Sequence, residues 1–364
     1  MPGGKTKLIL HPRVVPAKIL IVRLGAIGDV LQALPALYRL RKEYPRAHIA
    51  WAVEDQASEI VQAQPELDEV VVFERRKLKK LFRWSTLRWF YQIFWSFIRL
   101  LRRRKFPLSI DLHNLFRSGL VARLSGAPAR MAPKPSREGN WLFNNWRYRI
   151  PRNLVHTTDR HLALLRPLGV DGEAEAEAPR LPVGEEDEEY IATFLEREGL
   201  NGKGRLVLLN PGANWQSKLW PHERYGELAE RFATELDLTP VVTWGPGEEE
   251  LAKRVVKISK DSARLAYPTT LRQLAALCQR AALFVGPDTG PMHIAASAGT
   301  PVVALYGPSS PQRFAPRGPG ETRLLFRDLR CRGCMKRRCR KLDCMRRITV
   351  HEVFMSSKEL LDSS

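Results

Sequence analysis

The chain has 364 residues, a formal net charge of +20, 27% charged and 44% hydrophobic residues. That length suits two domains of ordinary size, and the composition is that of a globular chain that needs no disulfide framework. The excess of cations points to an anionic partner such as nucleic acid, an anionic lipid surface or a phosphorylated substrate. The opening "MPGGKTKLILHPRVVPAKIL" has no continuous apolar core, so no signal peptide is expected. The most apolar run, "WFYQIFWSFIRLL" at 89–101, is too short for a span and carries Gln92, Ser96 and Arg99. With no export signal, a reducing cytoplasmic location is expected.

In chain order, strand-like runs alternate with helical patterns, as in parallel α/β layers. "KILIVRLG" (18–25) is a buried-type strand. Val30, Leu31, Leu34, Leu37 and Leu40 follow at helical spacing, with Pro35 predicting a kink or an irregular first part. "AHIAWAVE" (47–54) closes a β-α-β unit, and "EVVVF" and "LSIDLH" extend the sheet. Residues 171–190 are acidic with Pro and Gly and read as a linker, although "EEDEEYIATFLEREGL" also fits a helix of the second half. The alternation then restarts with "RLVLLNPG", a helix from His222, "TPVVTWGPG", a helix from Glu248, "ALFVG", a short helix, and "PVVALYG". Two Rossmann-like domains with parallel sheets facing an interdomain cleft are therefore expected.

Ligands of such sheets bind beyond the C-terminal strand ends, near helix starts. Four loops qualify. In "RLGAIGDV", Asp29 reads either as a helix-start carboxylate or as a general base. In "NPGANWQSKLWP", Lys218 is a phosphate partner or a solvated loop lysine. In "TWGPGEEE", Glu248 accepts from ribose hydroxyls or simply opens a helix. In "LFVGPDTGPMHIAAS", free amides at a helix start suit phosphate, Thr289 adds a hydroxyl, and His293 is a ligand contact or a structural histidine.

"KILIVRLGAIGDVLQALPAL", "NPGANWQSKLWP" and "FVGPDTGPMHIAASAGTPVVALYGPSSP" together resemble the bacterial heptosyltransferases of lipopolysaccharide core assembly, glycosyltransferase family nine, over about 18–355. The resemblance implies a GT-B architecture. It implies an N-terminal acceptor domain over 1–170, the linker 171–190, a nucleotide-sugar domain over 191–345, and a C-terminal segment 346–364 that packs back on the N-terminal domain. It assigns Asp29 as general base and Lys218, Glu248, Asp288, Thr289, Gly290 and His293 to the donor. It also places acceptor contacts near Asp111, His113 and Arg117, although Arg117 would equally pair with Asp111. The implied reaction is inverting transfer of a heptose from an ADP-sugar to a lipid-linked, phosphorylated saccharide acceptor. Lys218 and helix-start amides would replace a divalent ion, so no cofactor is required beyond the ADP-heptose co-substrate. Two other readings stay open: a nucleotide-sugar epimerase or hydrolase of the same fold, and a non-catalytic basic protein that binds RNA or membrane.

Two segments stand apart. Residues 75–106 interleave twelve Lys or Arg with large aromatics. We read them as a surface for the anionic inner membrane, making the protein peripheral there, against a packed helix with solvated charges or an RNA contact. No nucleic-acid partner is otherwise expected. Cys331, Cys334, Cys339 and Cys344 form a C-x2-C-x4-C-x4-C run that leaves open a structural zinc, a disulfide or free thiols. Cys278 reads as a buried helix residue.

Overall fold

The computed structural model describes residues 16–75, 87–170, 177–201 and 205–363, with side chains of the helix Leu87–Arg104 described from residue 91 onward. The chain divides into two compact units, Met1–Glu177 and Ala178–Ser364.

The first unit holds β1 (Lys18–Val22), β2 (His48–Glu54), β3 (Glu69–Phe73), β4 (Leu108–Asp111), β5 (Ala129–Lys134) and β6 (Trp146–Arg149). They form one sheet in the order β3-β2-β1-β4-β5-β6, and every pairing is parallel. The central strand β1 is an apolar run because helices cover both of its faces; Ile19 to Val22 are fully buried. The predicted irregularity at Pro35 is a break between two helices, Ile27–Leu31 and Leu34–Glu43. Proline occupies the first turn of the second helix, where its missing N–H removes no helical bond. Val30, Leu31, Leu34, Leu37 and Leu40 are all fully buried, so the apolar spacing marks the core face across the break.

The second unit repeats the plan. It holds β7 (Arg205–Leu209), β8 (Leu238–Val242), β9 (Arg264–Leu265), β10 (Ala281–Pro287), β11 (Val302–Leu305) and β12 (Thr322–Leu325). Their order is β12-β11-β10-β7-β8-β9, again all parallel. Counted within the unit, this is the same 3-2-1-4-5-6 arrangement as in the first, the order of Rossmann-like sheets.

One expectation changes. The acidic helix Glu185–Arg197 lies in the second unit, where Asp187 pairs with Arg272 at 2.9 Å, so the expected linker over 171–190 does not extend to 190. Residues 171–176 of it lie outside the described residues. The C-terminal helix Val350–Ser363 puts Val353, Phe354 and Leu360 into the core of the second unit, with Phe354 stacked on Phe232 at 5.8 Å. That apolar face explains why the segment is part of the second unit.

The basic aromatic segment is also corrected in part. Residues 76–86 lie outside the described residues. In the helix Leu87–Arg104, Phe97, Ile98 and Leu101 are buried in the first unit's core, with Phe94 and Trp95 packed against it and Phe73 touching Phe94 and Phe97. Among the described aromatics of the segment, Phe97 and Phe106 are buried and Phe94 and Trp95 partly so, while the exposed side carries Tyr91, Arg99, Leu100, Arg102 and Arg103. Among the described residues, no helix is long and apolar enough to cross a membrane.

Candidate active site

In both sheets the candidate site residues sit in loops at the carboxyl ends of central strands. In the first unit, β1 leads through Arg23, Leu24 and Gly25 into the helix Ile27–Leu31. Asp29, about one third exposed, accepts from the Arg23 guanidinium at 2.9 Å and from the Ala26 N–H at 3.3 Å. Arg23 in turn donates to the Leu112 carbonyl at 3.2 Å, so the carboxylate is oriented by a cation tied to the end of β4.

Next to this loop lies a cluster in which the sequence reading named Arg117 and His113 but missed Glu54 and Arg75. Glu54 ends β2, is 1% exposed and pairs with Arg117 at 2.5 Å and Arg75 at 3.0 Å. Arg117 therefore pairs with Glu54, not with Asp111. Gly25 lets this cluster approach the loop closely: a Cβ there would lie 2.9 Å from the Gln56 amide and 3.2 Å from the Glu54 carboxylate, and those side chains would have to give way. His113 accepts from the Leu24 N–H through Nδ1 at 3.4 Å, and burial and the nearby Arg23 and Arg117 cations hold its pKa well below the usual value. His161, fully buried, donates from Nδ1 to the Gln32 carbonyl at 3.3 Å. Burial and Arg23 push its pKa down to about 3.

Asp111 is corrected as an acceptor contact. It is fully buried and accepts from the His113 and Asn114 N–H groups, the Ser118 hydroxyl and the Asn140 and Asn144 amides. Burial raises its pKa and these donors oppose the rise. It pins the turn carrying His113 and Arg117 and has no surface to offer a ligand.

In the second unit, Lys218 Nζ donates to Asp288 twice, to Oδ2 at 2.7 Å and to the backbone carbonyl at 2.6 Å. Asp288 Oδ1 lies 3.7 Å from His293 Nε2. Burial alone would raise the Asp288 pKa, but His293 and Lys218 outweigh it and hold the group well below the usual carboxylate range. An ammonium has three donors, so Lys218 retains one N–H beyond the two spent on Asp288. The Trp215 ring lies beneath this ammonium at 5.0 Å. Thr289 caps the helix Gly290–Ser297, and its hydroxyl donates to the Pro287 carbonyl at 3.3 Å. Glu248 caps the helix Glu249–Ile258 and accepts from the Gly245 N–H at 3.0 Å. It lies directly over Gly212 at the end of β7, where any Cβ would collide with its carboxylate.

The structure thus joins Lys218, Asp288 and His293 in one cluster, sets Thr289 and Gly290 beside it, and holds Glu248 over the neighbouring loop. Asp288 serves from inside, positioning the lysine and the imidazole. Of the cysteines, Cys278 is buried, and burial pushes its thiol pKa up. Cys331, Cys334 and Cys339 are exposed, and all five thiols are free. Among the described residues, no group of three or more His, Cys, Asp or Glu is placed to hold a metal ion.

Two Rossmann-like units of matching topology, each with its charged loops at the strand ends, make this a GT-B glycosyltransferase fold. A model of glycosyltransferase family 9 (heptosyltransferase) matches residues 94–344, and the chain belongs to that family. It is 28% identical to the lipopolysaccharide core heptosyltransferase OpsX of Haemophilus influenzae, covering 83% of this chain and 82% of that protein. It is 27% identical to lipopolysaccharide heptosyltransferase 1 of Pseudomonas aeruginosa, covering 88% and 87%. Among solved structures, a family 9 glycosyl transferase of Veillonella parvula superposes with a TM-score of 0.80 at 25% identity, over 96% of this chain and 98% of that one. E. coli heptosyltransferase WaaC with ADP shares the fold, with a TM-score of 0.73 at 21% identity over 94% and 99%.

Proposed function

We propose that this enzyme transfers a heptose from an ADP-sugar to the inner core or lipid A part of a lipopolysaccharide, with inversion at the anomeric carbon. The observation that carries the proposal is the Lys218–Asp288–His293 cluster beside the start of the helix Gly290–Ser297, in a chain of this family. The relatives' names supply the sugar and the acceptor class.

The acceptor hydroxyl loses its proton to the Asp29 carboxylate as its oxygen bonds to the anomeric carbon. The bond from that carbon to the diphosphate oxygen breaks on the opposite face, and a single displacement of this kind inverts configuration. Arg23 holds the carboxylate in one orientation during the transfer. The negative charge that grows on the leaving diphosphate meets the third N–H of Lys218, the Thr289 hydroxyl turned away from the Pro287 carbonyl, and the Gly290 amide at the helix start. Glu248, fixed over Gly212, accepts from the ribose hydroxyls. These fixed positive groups supply the charge stabilisation that a divalent ion would otherwise give. His113 and Arg117 face the acceptor side. Acting on a lipid-linked acceptor, the enzyme works at the inner face of the cytoplasmic membrane.

The test is a panel of ADP-, UDP- and GDP-activated sugars offered to the purified protein with and without lipid A core acceptors. ADP alone should raise the melting temperature by mass action. ADP-heptose should give a heptosylated acceptor of inverted configuration. Epimerised donor or free sugar formed equally well without acceptor would overturn the proposal.

A further inference from the structure

We propose that the loop 330–341 of the second unit is a docking surface for an anionic lipid bilayer. The surface is read from charge, exposure and shape alone and does not rest on the transferase reading. Every residue from 330 to 341 is exposed. Seven of the twelve are cations (Arg330, Arg332, Lys336, Arg337, Arg338, Arg340 and Lys341) and none is acidic. Arg332 pairs with Asp328 at 3.1 Å and Arg337 lies over the Trp215 ring at 5.5 Å. Among the described residues, Arg330, Lys336, Arg338, Arg340 and Lys341 form no salt bridge with a carboxylate.

The loop is exposed yet fixed. Met335 N–H donates to the Pro308 carbonyl at 3.0 Å and Ser217 N–H to the Arg337 carbonyl at 3.2 Å, while the Ser217 hydroxyl donates to the Lys336 carbonyl. A pinned backbone holds the unpaired cations in place, so little order is lost when they meet a surface. Met335 is 41% exposed within the loop, in the left-handed region at φ 55°. An apolar side chain rimmed by cations matches the boundary between headgroups and acyl chains. The loop has no aromatic residue on which bases would stack, which favours lipid over single-stranded nucleic acid. Because Arg337 and Lys218 share the Trp215 ring, lipid docked here would lie one residue away from the donor-side lysine.

The test uses the full chain with phosphatidylcholine vesicles, with and without phosphatidylglycerol, in a sedimentation assay across a salt series. Wild type should bind the anionic vesicles and lose them as salt rises. The triple variant Arg338→Gln/Arg340→Gln/Lys341→Gln should partition about 100-fold more weakly, at roughly fivefold per cation. Arg338→Lys/Arg340→Lys/Lys341→Arg should restore wild-type binding, which separates lost charge from lost fold. Unchanged partition of the glutamine variant would overturn the proposal. So would loss of single-stranded RNA binding in that variant while vesicle binding persists.

Discussion

The two units share a strand order and solve different chemical problems with it. At the strand ends of the first, long charged side chains form pairs with one partner partly exposed: Arg23 with Asp29 six residues on, and Arg75 and Arg117 with Glu54. At those of the second, glycines, helix starts and one buried lysine cluster are packed into short loops. A common sheet thus says where ligands go, and the loops say which.

That contrast can be broken by mutation. The largest stability effect is expected at Asp288→Ala, which leaves the Lys218 ammonium without its partner in a site where it is 16% exposed. Losing one member of a buried pair is worth about 3–5 kcal/mol. Denaturant unfolding of wild type and variant measures it, and a loss under 1 kcal/mol would mean the cluster is a surface pair after all.

Acid should weaken the first unit next. His161 has a folded pKa of about 3 against an ordinary 6.5, so below pH 6.5 the unfolded chain takes up a proton that the folded one refuses. Stability is therefore complete above pH 6.5 and falls as the pH drops toward 3. Between pH 6.5 and 5 the fall from this group is about 2 kcal/mol. His161→Gln should flatten that part of the profile; an unaltered slope would assign the acid sensitivity to other groups.

The smallest effect is expected at Arg75→Ala. Arg75 is half exposed and Glu54 keeps Arg117, so stability should change by no more than about 1 kcal/mol. A larger loss would show that the Glu54 cluster resembles the buried Lys218 cluster more closely than its exposure suggests.

Legibility in the sequence followed the same division. The central strands β1, β7, β10 and β11 stand out as apolar runs because both faces are covered. The edge strand β6, "WRYR", alternates half-buried with exposed residues, and β5 ends in Pro-Lys, so neither reads as a strand in isolation. Lys218, Glu248 and Asp288 each sit in a short motif at a strand end and are legible one motif at a time, although Lys218 and Asp288 are 70 residues apart. Glu54, Arg75 and Arg117 are brought together only by the order β3-β2-β1-β4, and no local pattern announces that. One signal was available: Glu54 is the lone acid closing the apolar strand "HIAWAVE", where a buried carboxylate demands a cation. Asp111 misled for the converse reason. Its place at the end of β4 resembles a ligand position, and only the five donors around it reveal an internal anchor.

The proposed transfer depends most on Asp29 taking the acceptor proton. The most direct measurement pairs transfer rate with ADP affinity in Asp29→Asn, which keeps the side-chain shape and removes the base. The account predicts ADP binding equal to wild type and a turnover lowered about 10²- to 10⁴-fold. A variant that transfers heptose at the wild-type rate would contradict it.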